Sequence, residues 1–152
     1  SDLHRLSVLY AETPMLARTL FQPATPITFG LKAAIWGLAL KRNRKLVQTL
    51  QQTELAIQLG GSNGALPAMS PHGNVIRADM ALQLGLANPD HCWHTLRDRI
   101  LTIAATLAGT IGATAKIAGD CLLMMQAEVA ELQEGKPGTS TPGVFTRWTP
   151  MN

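Results

Sequence analysis

Three side chains with metal-ligating chemistry, His91, Cys92 and His94, fall within one stretch of four residues. A zinc site needs separated ligand pairs that close a tetrahedron around the ion, and so tight a cluster offers only one side of it. No metal site is expected. The run Gly60-Gly61-Ser62-Asn63-Gly64 is rich enough in glycine to approach a phosphate, but it lacks the Gly-Lys-Ser/Thr ending of a nucleotide-binding loop. Turn chemistry accounts for its glycines. Lys41-Arg42-Asn43-Arg44-Lys45 concentrates positive charge without interleaved aromatics or a reader motif, so it is expected to be a solvated helix face and not a nucleic-acid interface. Cys92 and Cys121 fit neither a disulfide framework nor a CxxC pair, which points to an intracellular chain.

The elements that must position such residues are helices. Of the 152 residues, 46% are hydrophobic, 15% charged and only 5% aromatic, and the net charge is a mild +3. A core of Leu, Ala, Ile, Val and Met suits helix packing, so the expected class is all-α, a bundle of long helices. Periodicity predicts a short helix over Leu3–Ala11, which opens like the middle of a helix and carries no signal-peptide pattern. Pro14, Pro23 and Pro26 make residues 14–26 extended or irregular. A helix is expected from Ile27 to about Gln58, a loop over 59–67, and a shorter helix over Asn74–Leu84 that stops at Gly85. Asn88-Pro89-Asp90 then offers capping chemistry for a last helix over about Trp93–Leu132.

Forty unbroken helical residues would span roughly 60 Å at 1.5 Å per residue. A compact globule of this length is only about 38 Å across, so such a helix would leave its apolar stripe bare and would call for partners. Ala108, Gly112, Ala115 and Gly119 form a small-residue stripe that would let another helix approach closely. The alternative is a kink at Gly109 or Gly112 that folds the helix back. Ile100–Ala115, the longest uncharged stretch of interest, is too short and too rich in Ala, Thr and Gly for a membrane span.

Three segments carry a resemblance. Ala17-Arg18-Thr19-Leu20-Phe21-Gln22-Pro23-Ala24-Thr25-Pro26-Ile27-Thr28-Phe29-Gly30 resembles the second signature region of the fumarase/aspartase superfamily, Gly-Arg-Thr-His-x-Gln-x-Ala-x-Pro-x-Thr-x-Gly. Trp93-His94-Thr95-Leu96-Arg97-Asp98-Arg99 is similar to the Trp-His-x-x-Arg-Asp-Arg segment of one branch, the bacterial 3-carboxy-cis,cis-muconate cycloisomerases. Met125-Gln126-Ala127-Glu128-Val129-Ala130-Glu131 resembles the end of the helix that leads into the family's catalytic loop. Leu20 stands where many members have histidine, which favours the cycloisomerase branch over fumarase or adenylosuccinate lyase. The third signature starts at Gly138-Thr139-Ser140-Thr141 and is abandoned from Pro142, so its lysine has no counterpart. The first signature is not present. The resemblance therefore covers residues 1–135 as a central helical-bundle segment, with residues 136–152 a Gly- and Pro-containing loop or tail that diverges from the catalytic loop.

The resemblance implies a cofactor-independent addition or elimination across a carbon–carbon bond beside a carboxylate. It casts Ser140 as the proton-transfer residue, or else as part of a flexible glycine-rich tail. Thr19 and Gln22 become donors to a substrate carboxylate, or caps on irregular backbone. Arg97 becomes a bidentate cation for the substrate, or a structural partner of Asp98. His94 orients or starts a helix, with proton transfer as its alternative role. The implied substrate is a small tricarboxylic acid of aromatic catabolism, the β-ketoadipate pathway, and the implied assembly is a cytoplasmic homotetramer with no nucleic-acid or membrane partner. Because signature regions are missing or broken, the isolated chain is expected to be impaired. Another lyase of the superfamily, or a non-catalytic helical oligomerisation module, are the competing expectations.

Overall fold

The structure is a computed structural model that describes residues 2–133. Its elements run α1 (Asp2–Leu9), β1 (Pro14–Thr19), β2 (Gln22–Thr28), α2 (Phe29–Thr53), a single 3-10 turn over Pro67–Met69, α3 (Gly73–Leu84) and α4 (Asp98–Met124). The described residues divide into two compact units, 2–40 with 111–133, and 41–110.

The helix-rich expectation holds, with one addition. Where three prolines suggested extended or irregular chain, residues 14–28 are extended and pair as an antiparallel hairpin, so the fold is not purely α. Proline cannot donate to a ladder, but both strands of a two-stranded sheet are edges and tolerate it. Pro14, Pro23 and Pro26 all sit within the register, which pairs Pro14 with Thr28, Met15 with Ile27, Leu16 with Pro26, Arg18 with Pro23 and Thr19 with Gln22. An irregularity between Leu16 and Arg18 re-aims the distal end of β1.

The first unit is built around Met15, Phe29, Trp36, Cys121, Met124 and Leu132. Edge-to-face contacts run from Tyr10 to Phe29, 5.5 Å between ring centres, and from Phe29 to Trp36, 6.1 Å. The Thr28 hydroxyl accepts from the Leu31 amide and caps α2. Gly30 lies so close to the end of α1 that a β-carbon there would sit 2.6 Å from the Ala11 backbone. The second unit buries Leu50, Ile57, Leu66 and Ala81. Residues 55–57 pair with Ala87 through Ile57 N to Ala87 O and Ala87 N to Leu55 O, each 2.9 Å. Helix α3 ends at Gly85 as expected, with Leu86 N bonding back to Ala81 O.

The last helix is shorter than its periodicity suggested. It starts at Asp98 and stops at Met124, 27 residues or about 40 Å. Residues beyond it turn back, and the Glu131 and Leu132 amides both donate to the Met124 carbonyl while Ala130 takes a left-handed φ of 48°. Gly109 and Gly112 do not interrupt it. Only Cys121 and Met124 of α4 are buried, whereas Leu101, Ile111 and Leu122 stay exposed. Its threonine hydroxyls turn inward on the helix's own carbonyls, Thr102 to Asp98, Thr106 to Thr102, Thr110 to Thr106 and Thr114 to Ile111, at 2.8–3.0 Å. By length and a mean hydropathy of 1.5 in its best 18-residue window, α4 is apolar enough to cross a membrane, a test that bundle helices of soluble proteins also pass.

Candidate active site

Two groups of candidate residues sit on different units. In the first unit, the hairpin sets Thr19 directly opposite Gln22, on one face of the ladder and both exposed. Between them, Leu20 and Phe21 make a two-residue turn with φ of 50° and 58°. Turns with both central residues left-handed favour Asn-Gly, because a β-carbon there is strained. Two bulky apolar residues occupy it instead, 90% and 80% exposed.

Arg18, next to Thr19, donates from Nη1 and Nη2 to the two Glu131 oxygens at 2.8 and 2.9 Å. That bidentate pair ties the hairpin to the stretch that follows α4, and its bonds hold the Arg18 guanidinium above its ordinary pKa despite partial burial. Ser140, the expected proton-transfer residue, lies outside the described residues.

In the second unit, residues 93–99 are fastened to the end of α2 and the segment after it. The Trp93 indole donates to the Ile57 carbonyl at 3.0 Å and the Trp93 amide to Gln58 Oε1 at 3.0 Å. Arg99 donates to the Thr53 carbonyl at 2.6 Å, pairs with Glu54 at 3.4 Å and lies 6.0 Å over the Trp93 ring. Trp93 and Arg99 are therefore scaffold. Between them, Arg97 is exposed and donates from Nη1 to the His94 carbonyl at 2.7 Å. It makes no ion pair with Asp98 among the described residues. One of its five donors is thus used on the segment's own backbone, which aims the rest of the guanidinium.

The half-buried His94 ring puts Nδ1 3.5 Å from Cys92 Sγ. The sulfur occupies a niche that glycines make possible: a β-carbon at Gly64 would lie 2.6 Å from Sγ, and one at Gly60 2.8 Å from the Cys92 β-carbon. The glycines of the 60–64 loop thus do more than turn the chain. Among the described residues no three His, Cys, Asp or Glu side chains converge on one point. Arg18 and Glu131, which the sequence reading did not single out, are 113 residues apart, a pairing that no local pattern announces.

The family described as "Lyase" matches residues 1–144. A 3-carboxy-cis,cis-muconate cycloisomerase of Bradyrhizobium diazoefficiens is 43% identical over 136 residues, which cover 87% of this chain and 30% of that protein. One from Pseudomonas aeruginosa is 38% identical over 151 residues, covering 92% of this chain and 33% of its own length. The crystal structure of the beta-carboxy-cis,cis-muconate cycloisomerase of Acinetobacter calcoaceticus superposes with a TM-score of 0.82 at 36% identity, over 89% of this chain and 31% of that one. The chain spans about a third of the length of the relatives it matches. The hairpin bearing Thr19 and Gln22 and the Trp93–Arg99 segment therefore sit in a chain that belongs to the lyase family of the fumarase/aspartase superfamily and is similar to its 3-carboxy-cis,cis-muconate cycloisomerases.

Proposed function

We propose that this chain is the central helical portion of a 3-carboxy-cis,cis-muconate cycloisomerase, acting on a small tricarboxylic substrate in the cytoplasm as part of a homotetramer, in aromatic catabolism. The observation that carries this reading is the hairpin tip, where Thr19 and Gln22 stand side by side as donors with Leu20 between them in place of histidine. A lactonising step adds a substrate carboxylate across a double bond. In reverse, a base removes the proton α to another carboxylate and the lactone oxygen leaves. Charge accumulates on that second carboxylate as an enolate-like species, so the site needs fixed donors around it. The Thr19 hydroxyl and Gln22 amide suit that role; the resemblance separately assigns Arg97, whose forked donors fit a carboxylate. Proton transfer to carbon falls to Ser140, with His94 as the alternative carrier. The reaction requires no cofactor.

The test follows loss of the conjugated-diene absorbance of 3-carboxy-cis,cis-muconate. The chain alone is expected to turn over far more slowly than an intact cycloisomerase. Co-expression with the flanking portions of a relative should restore turnover, and T19A or Q22A should then lower it by about 10²-fold. Full activity of the chain alone would overturn the expected impairment. An assembly that ignores the muconate and cleaves another superfamily substrate, such as adenylosuccinate, would reassign the reaction. The bare face of α4 favours a second reading, a helical oligomerisation module, for which the chain would form multimers without affinity for tricarboxylates.

A further inference from the structure

Arg77 is the charged side chain that the described part of the chain buries, 7% exposed on α3. A guanidinium cannot shed its charge, and its usual buried partner is a carboxylate. Among the described residues Arg77 has none. It donates instead from Nε to Asn88 Oδ1 and from Nη2 to the Asp90 carbonyl, both at 3.1 Å.

Both acceptors lie on the stretch between α3 and the Trp93–Arg99 segment. That stretch is held at one end by the pairing of Ala87 with residues 55–57, and at the other by the bonds of Trp93 to Ile57 and Gln58. Between those ends, Arg77 bonds the stretch at Asn88 and Asp90. An apolar side chain of similar volume would avoid the cost of burying a charge. It would also leave Asn88 and Asp90 without a donor and the path into Cys92, Trp93 and His94 unset.

We propose that Arg77 is a positioning residue: by fixing Asn88 and Asp90 it sets the path of the chain into His94 and so places His94 and Arg97 toward the carboxylated substrate. The substrate half of this statement rests on the functional reading above. The positioning half has its own reporters, because the contact of His94 Nδ1 with Cys92 Sγ changes if the path changes.

The test compares the full chain with R77M, R77K and N88A. R77M should melt within about 5 °C of the parent, since removing a buried cation offsets its lost bonds. Iodoacetamide should nonetheless alkylate Cys92 at least about threefold faster as the segment loosens, and the His94 ring resonances should move. Cys121, buried in the other unit, is the internal control and should keep its parent rate. R77K should restore part of the parent behaviour. N88A, which removes one acceptor without touching α3, should move the same signals less, and it carries the test if R77M does not fold. Parent-like Cys92 and His94 signals in R77M or N88A would overturn the proposal, as would Cys121 accelerating in step with Cys92. A parent chain that shows no affinity for the tricarboxylate counts against the functional reading alone.

Discussion

Asp120 gathers the Trp36 indole, Lys32 and Lys116 on one carboxylate oxygen, with both ammonium groups within 6 Å of the Trp36 ring centre. Burial opposes its ionisation, but the bonds from Lys116 and Trp36 and the two ammonium charges outweigh that and hold the carboxyl below its ordinary value. A depressed folded value means the native state binds fewer protons than the unfolded chain. The stabilisation is therefore complete above about pH 4 and is lost as pH falls through the folded value. D120N should cost about 1–2 kcal/mol in urea melts at neutral pH, and the gap to the parent should narrow as pH drops below about 4. A gap that widens on acidification would contradict the assignment. Arg18 and Glu131 should couple in a double-mutant cycle, R18A and E131A together costing less than their sum by about 1 kcal/mol. Thr19, Gln22, His94 and Arg97 were legible as types in order. The bonds around them were not, because Arg18 and Arg77 pair with residues that only the folded chain brings near.

At the scale of elements, the helices were visible in the sequence and their ends were not. Apolar spacing continues from Trp93 to Leu132, yet apolar side chains outside the helix also pack, Trp93 half-buried before it and Leu132 buried after it, so periodicity could not mark where α4 begins and ends. The hairpin escaped for a different reason. Its turn carries Leu20-Phe21 where Asn-Gly is the usual signal, and its strands carry prolines that argue against pairing. That mismatch yields a prediction. Replacing the tip, L20N with F21G, should stabilise the chain by about 1–2 kcal/mol by relieving two left-handed side chains. Denaturant melts measure the gain, and a loss of stability would mean that Leu20 and Phe21 make contacts the strain argument leaves out. If the tip serves recognition, the same change should weaken tricarboxylate binding while the fold gains.

For the whole molecule, the chain carries about a third of the length of its relatives and exposes large apolar side chains along α2, α3 and α4. Much of the apolar content therefore lies on exposed helix faces and not in the core. Gly112 and Gly119 face open space, so a β-carbon there meets nothing. G112A and G119A should each stabilise the isolated chain by about 0.5–1 kcal/mol through helix propensity alone. If the small-residue stripe is a contact between copies, the same changes should weaken self-association in sedimentation; unchanged association would place the contact elsewhere. The threonine ladder of α4 bears on how such a chain is handled before it assembles. With its hydroxyl donors already turned onto its own carbonyls, the helix asks fewer bonds of its surroundings than its threonine content suggests. Such a helix satisfies its polar side chains before any neighbour arrives, so an apolar neighbour can cover its bare stripe without stranding those hydroxyl donors.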